Sequence, residues 1–264
     1  MARPLWQVNL IKKGFPTPRI ARLTRLPFLG KLVRLALFHN DHIVYLPIDE
    51  SVAQEPGVVL PSDVVRHFVK IAGYRWIMNE CICRSTHHCQ HYPVDYGCLF
   101  LGEATRQINP ELGRSVSAEE ALDYVDRCQQ AGLVHLIGRN KLDSVWLDAK
   151  PADKLLTICN CCECCCLWKV LIPHAYKPIA DSVQRIDGLK VTVNHDCQGC
   201  GSCADQCFVN AIDIKDQKAV ISEQCRGCGR CVIQCPEQAI QLSIDNVDLM
   251  NTRLIESISR LVSV

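Results

Sequence analysis

The chain has 264 residues, 48% hydrophobic and 22% charged, with a formal net charge of +1 and nineteen cysteines. Its apolar content excludes general disorder, since such a chain buries enough surface to offset its ordering entropy, and no run approaches the ~18 apolar residues of a membrane-spanning helix. The thiols are clumped, as in Cys159-Asn-Cys-Cys-Glu-Cys-Cys-Cys166, where neighbours cannot all reach disulfide geometry, and the first ten residues hold no secretory apolar core; metal ligation in a reducing cytoplasm is the expected use.

Residues 1–60 read as a basic N-terminal segment and linker. The first forty residues carry Arg3, Lys12, Lys13, Arg19, Arg22, Arg25, Lys31 and Arg34 and no acidic side chain, a local charge of +8 that leaves −7 for the remainder. Leu29–Phe38 predicts a short basic amphipathic helix packed on the body of the protein. Peripheral contact with a membrane or an acidic partner surface is the alternative. Residues 47–60, with Pro47, Pro56 and Gly57, read as an extended linker.

A Cys-rich domain follows over 61–187. Pro61-Ser62-Asp63 predicts a capped helix to Ala72 ended by Gly73, with Val64, Val65, Phe68, Val69 and Ala72 as its apolar stripe. Tyr74–Met78 reads as a buried strand. Ser117 and Glu120 form a capping box opening a helix to Ala131, with Gly132 as its C′ residue. Leu133–Ile137 and Ser144–Leu147 predict a hairpin; no basic recognition helix accompanies it, so no nucleic-acid partner is expected. Leu167–Ile172 reads as helical until Pro173. Residues 188–244 form a separate module, and Asp245–Val264 suits an amphipathic helix with Leu254, Ile258, Leu261 and Val262 along one side.

Cys197-Gln-Gly-Cys200-Gly-Ser-Cys203-Ala-Asp-Gln-Cys207 has the spacing C-x2-C-x2-C-x3-C, which recurs at Cys225-Arg-Gly-Cys228-Gly-Arg-Cys231-Val-Ile-Gln-Cys235. Three thiols at intervals of three wrap a tight loop around an iron–sulfur cube, and the intervening glycines let backbone amides approach the sulfurs. Two zinc sites would instead show paired C-x2-C knuckles with longer loops between them. On these residues, 188–244 resembles a bacterial-type ferredoxin domain with two [4Fe–4S] clusters. The resemblance implies that Cys197, Cys200, Cys203 and Cys235 hold one cluster and that Cys225, Cys228, Cys231 and Cys207 hold the other, each fourth cysteine crossing over. Phe208 departs from the pattern, standing where a proline often follows.

Upstream, Cys81, Cys83, Cys89 and Cys98 are interleaved with His87, His88 and His91, and Cys159, Cys161, Cys162, Cys164, Cys165 and Cys166 form the dense run. These ten thiols exceed the four of one cubane and suffice for two, or for a larger or non-cubic cluster. At least one further iron–sulfur cluster is expected, with zinc and redox-active dithiols as alternatives. Adjacent residues usually point apart, so Cys161/Cys162 and Cys164/Cys165/Cys166 are expected to serve different metals or, for some, none. The three histidines read as solvated rather than ligating, Cys128 as a buried structural thiol, and Arg84, Tyr92, Asp95 and Tyr96 as neighbours of the thiols. The run from Cys81 through Cys98-Leu-Phe-Leu-Gly to the dense cysteines resembles an uncharacterised group of ferredoxin-domain proteins from anaerobic bacteria and archaea over about residues 20–244. That likeness implies low-potential electron transfer and supplies no substrate.

No G-x-G-x-x-G after a strand, P-loop or hydrolase triad is present, so nothing marks a flavin, nicotinamide or nucleotide site, and no catalytic residue is assigned. The expected fold is α+β, a ferredoxin-like two-cluster domain appended to a Cys-rich, mainly helical α+β domain. The expected function is single-electron transfer as a subunit or partner of a larger anaerobic redox enzyme, in the cytoplasm or at the inner face of the membrane. The alternatives are a reductase whose catalytic centre is the upstream cluster, and a redox-sensing regulator.

Overall fold

The structure is a computed structural model that describes residues 2–52 and 60–264. A seven-stranded sheet organises the upstream part. Its strands are β1 (His42–Tyr45), β2 (Arg75–Met78), β3 (Leu99–Leu101), β4 (Gly113–Ser115), β5 (Val134–Arg139), β6 (Leu156–Cys161) and β7 (Val183–Gln184), in the order β4-β2-β3-β6-β5-β1-β7. Neighbours are antiparallel except β1 and β7, which run parallel. Alternation along each strand sends successive side chains to opposite faces. In β6, Leu156 and Ile158 join one core while Cys159 and Cys161 face the other.

The first face is covered by α4 (Asp63–Ile71), α6 (Ala118–Gln130) and α12 (Val247–Ser259), whose Val65, Phe68, Tyr124, Val125, Leu254 and Ile258 share a core with Leu99, Ile137 and Ile158. The opposite face takes α1 (Leu5–Lys13), α2 (Pro18–Leu23), α5 (Ile82–Thr86), α7 (Lys141–Leu147), α8 (Leu167–His174) and α9 (Lys177–Ala180), through Val8, Ala21, Ile82, Trp146, Trp168, Leu171 and Ile179. The α+β class expected from the sequence is the one observed.

Local signals were legible where they closed on themselves. The Ser117 hydroxyl accepts from Glu120 N and the Glu120 carboxylate accepts from Ser117 N, so the capping box forms as expected, and Gly132 follows with φ +77. At α4 the helix is where the stripe put it, but Ser62 makes no side-chain cap; the Asp63 carboxylate accepts from Leu60 N and Asp49 from Ser62 N. Ser144–Leu147 is helical, not a strand. Asp143 accepts from Asn140 Nδ2, Trp146 Nε1 and Thr157 Oγ1, a local net that winds the segment, and β5 pairs instead with β1 and β6. Helix α8 runs one residue past Pro173.

The basic helix α3 (Pro27–Leu37) packs on the body of the protein as expected, through Gly30, Val33 and Leu37, yet Phe28, Leu32 and Leu35 are 85%, 55% and 59% exposed. Residues four and three apart share a helix face, so these three make an outward apolar stripe.

In the C-terminal module, β8 (Leu189–Val193) pairs with β11 (Ile240–Ile244) and β9 (Ile212–Lys215) with β10 (Lys218–Ile221), both antiparallel. Short helices α10 (Ser202–Asp205) and α11 (Arg230–Ile233) follow the glycine turns of the two cysteine runs. The described part of the 47–60 segment is packed rather than extended in solvent: Asp49–Ser51 makes a 3-10 turn, Ile48 N donates to Cys228 O, and Val52 bridges to Leu242. Residues 53–59 of that expected linker lie outside the described residues. A Cβ on Gly229, whose φ is +78, would stand 2.0 Å from Ser51 Oγ, so glycine is what lets the module press this closely.

Helix α12 docks on α4 and the upstream sheet, filling a core rather than extending the C-terminal module. Ile258→Ala is therefore expected to cost about 2–5 kcal/mol, read as a lower denaturation midpoint under anaerobic conditions. Leu249→Ala, on the exposed side of the same helix, is expected to change stability by no more than ~0.5 kcal/mol.

Candidate metal centres

Eighteen of the nineteen cysteines stand in four groups. In the C-terminal module, Cys197, Cys200, Cys203 and Cys235 line one small hollow, and Cys207 lies among Cys225, Cys228 and Cys231. The two runs thus exchange their fourth members. Backbone amides point at three of these sulfurs: Ala211 N to Cys207 at 3.2 Å, Ala219 N to Cys197 at 3.4 Å and Ala239 N to Cys235 at 3.3 Å. Such donors stabilise thiolate and sulfide charge, so the cradle fits anionic iron–sulfur cubes. Gly199 (φ +66) leaves no room for a side chain, since a Cβ there would meet Gln217 backbone at 2.6 Å.

Upstream, strand register builds the third group. Leu99 faces Ile158 across β3 and β6, which brings the preceding Cys98 against the following Cys159, with sulfurs 3.4 Å apart. Cys161 emerges on the same face of β6 and meets Cys166 at 3.6 Å. Cys81 and Cys83, from the start of α5, bond each other beside Cys98 and Cys166. These six thiols, with Cys162 at the margin, line a cavity of about 250 Å³ whose other walls are apolar side chains such as Phe15, Leu142, Trp146 and Trp168 and the polar Arg84, Asn140, Asp143 and Asn160.

The fourth group is Cys89, Cys162, Cys164 and Cys165, all within 4.8 Å of one another. Cys161 and Cys162 point apart, as adjacency predicts. Cys164 and Cys165 do not; their sulfurs lie 3.6 Å apart in a turn, where strand alternation no longer applies, correcting the expectation that adjacent thiols point apart there, while Cys166 does separate from them to meet Cys161. None of His87, His88 and His91 joins this group, and His87 instead meets Phe15 edge-on. Cys128 is buried in the core on the opposite face of the sheet from the six-thiol cavity and belongs to none of the four groups, and burial pushes its thiol up to about 12.

Electrostatics in the six-thiol cavity are severe. Hydrogen bonding with Cys159 and then burial push Cys98 up; its bond to Cys81 and then burial do the same to Cys83. Cys81, receiving the Cys83 proton bond and facing Arg84, is lowered to about 6. Arg84 is 0% exposed, donates to Asn160 O at 2.9 Å and to Tyr96 O, and leaves its Nε without a partner. Burial opposes its charge, yet the thiolates of Cys81, Cys162 and Cys161 hold it protonated. A buried cation set among thiols is stabilised by anionic sulfur, and a cationic metal would relieve the repulsion among the thiolates.

Two contacts join the C-terminal module to these groups, and neither was legible in the sequence. Phe208, 1% exposed, packs on Tyr45 with ring centroids 5.3 Å apart, and Tyr45 Oη lies 3.2 Å from Cys166 Sγ. Arg230, inside the second cysteine run, donates to Tyr92 Oη at 2.5 Å and pairs with Glu163 at 3.4 Å. Spacing marks thiols, but nothing in it distinguishes Tyr45, Glu163 or Arg230 from ordinary surface residues; the signals were Phe208 in place of proline and Tyr92 beside the thiols.

Replacing Arg84 with glutamine keeps much of its bulk and removes the charge. Metal analysis of the anaerobically isolated variant is expected to show loss of metal upstream while the C-terminal module retains about eight irons. Unchanged metal content would show that Arg84 does not compensate sulfur charge.

Among the described residues no helix is long and apolar enough to cross a membrane. No curated protein and no solved structure matches the chain. Residues 196–239 match the family model of the 4Fe–4S dicluster domain, so the chain carries an iron–sulfur, ferredoxin-type segment.

Proposed function

We propose that this protein moves single electrons through two [4Fe–4S] clusters, held by Cys197, Cys200, Cys203 and Cys235 and by Cys225, Cys228, Cys231 and Cys207, to a further iron–sulfur centre in the six-thiol cavity. The observation that carries this reading is the Tyr45 bridge: Tyr45 touches Cys166 of the cavity and Phe208, the residue following Cys207. The clusters supply one-electron redox chemistry; the chain's residues set the route and exclude water. Cys200 is exposed, whereas Phe208 and the Cys228 backbone are pressed into the upstream domain. A redox partner protein therefore meets the first cluster, and the second hands the electron inward.

The cavity thiols suit a multi-iron cluster. They form close pairs, yet no three of them lie mutually within 4.8 Å, so the sulfurs are spread around a volume rather than gathered on a point. Six thiolates also exceed one per iron of a cubane. The work belongs to an anaerobic cytoplasm as part of a larger redox system. A reductase working at the cavity is the second reading, favoured by the apolar wall facing the sulfurs.

The outward stripe of α3 supports peripheral attachment to an anionic lipid surface. Phe28, Leu32 and Leu35 are flanked by exposed Lys31 and Arg34, with Arg19, Arg22 and Arg25 exposed on and after α2. Each cation near such a surface contributes about 1 kcal/mol, in addition to apolar insertion.

Three measurements test these statements. Anaerobically isolated full-length protein is expected to hold more than about eight irons with matching sulfide and to give EPR signals of reducible cubanes; fewer irons and no such signal overturns the electron-transfer reading. Tyr45→Leu is expected to keep the iron and slow reduction of the cavity centre several-fold in rapid-freeze EPR, and an unchanged rate removes Tyr45 from the route. Sedimentation with phosphatidylglycerol vesicles, but not phosphatidylcholine vesicles, is expected for the wild type and weakened by salt or by Phe28→Ser with Leu32→Ser; no binding to either vesicle rejects the membrane surface and leaves an acidic protein.

A further inference from the structure

We propose that Cys89, Cys162, Cys164 and Cys165 bind a single thiophilic divalent ion, zinc or ferrous iron, in a tetrahedral four-thiolate site separate from the iron–sulfur clusters.

The argument is metric. Four thiolates about 2.3 Å from one ion stand at the corners of a tetrahedron with edges of about 3.8 Å. The sulfur separations are 3.5 Å for Cys89 and Cys164, 3.4 Å for Cys162 and Cys164, and 3.6 Å for Cys164 and Cys165, and every pair lies within 4.8 Å. In a cubane each thiolate sits on a different iron and projects from its own corner, so the four sulfurs stand further apart. The same molecule supplies the comparison. Among the described residues no other three metal-ligating side chains meet the 4.8 Å spacing, and that includes both sets with ferredoxin spacing.

The local chain geometry serves one ion. Glu163 turns away from its neighbours, accepting from Tyr92 Oη at 3.0 Å and pairing with Arg230, which leaves Cys162, Cys164 and Cys165 on the same side. Cys89 arrives from the irregular segment between α5 and β3, which holds no strand or helix of its own. One ion with four thiolates leaves a charge of −2, and the buried Arg84 guanidinium stands near Cys162 against it. Binding transfers the thiol protons to solvent and changes no oxidation state. The ion would tie the Cys89 segment to the turn after β6, and so hold Tyr92 where it meets Arg230 of the dicluster module.

The test compares full-length wild type with Cys164→Ser and Cys89→Ser, all isolated anaerobically, by elemental analysis and acid-labile sulfide. Each variant is expected to lose about one metal atom per chain with sulfide and the cubane EPR signals unchanged; elemental analysis identifies that atom as zinc or iron. Loss of about four irons together with their sulfide overturns the proposal in favour of a cubane, and unchanged metal overturns it outright. Should the variants not fold, the wild-type protein stripped of this metal by a chelator and given Co²⁺ is expected to show the visible bands of a tetrahedral thiolate complex, whose absence is equally decisive. The sulfide and EPR readings report on the clusters alone, so failure here is distinguishable from failure of the electron-transfer reading.

Discussion

Confined sulfur charge is the constraint on which this molecule depends. Six thiols share one cavity, four more stand within 4.8 Å of each other, and the fully buried Arg84 lines the cavity and neighbours Cys162 of the second set. Deprotonated together without cations, such groups repel strongly in a medium that screens poorly; protonated, they leave Arg84 as an unpaired buried charge. Bound metal would resolve both problems at once, which ties the proposed upstream centres to the packing around Arg84. The sheet can form from its own alternation of apolar residues. The segment from Cys81 to Cys98, with little regular structure of its own, cannot be fixed by hydrogen bonds alone.

Legibility followed sequence distance. The ferredoxin-type segment and the grouping of its thiols were readable because the cysteines recur at short, fixed intervals and the glycines sit where positive φ is required. The capping box of α6 was readable for the same reason. The partition of the ten upstream thiols was not, because it is made by β3 pairing with β6 and by the fold of α5 over that edge, contacts between residues some sixty or more positions apart. Adjacency reasoning separated Cys161 from Cys162 correctly, since a strand imposes alternation there, and failed at Cys164 and Cys165, where the chain turns. Ser144–Leu147 was mistaken for a strand because a short apolar run carries no period of its own; three hydrogen bonds to Asp143 decide it.

The two contacts between module and upstream domain differ in kind, and the difference orders the electron path. Phe208 on Tyr45 is an aromatic contact ending at a sulfur of the cavity. Arg230 with Glu163 and Tyr92 is a charged clasp beside the four-thiol group, its partners both little exposed. A clasp fixes distance and orientation, and rates of electron hopping fall steeply when either is loose. The clasp therefore holds the aromatic contact in register while carrying no electron itself. With zinc in the proposed four-thiolate site, the surroundings of the clasp keep the same charge at each transfer, whereas a cluster there would change its charge by one. The crossing over of Cys207 would make the proposed route directional: the thiol that leaves its own run to join Cys225, Cys228 and Cys231 is also the one whose neighbour, Phe208, is buried against Tyr45 of the upstream domain.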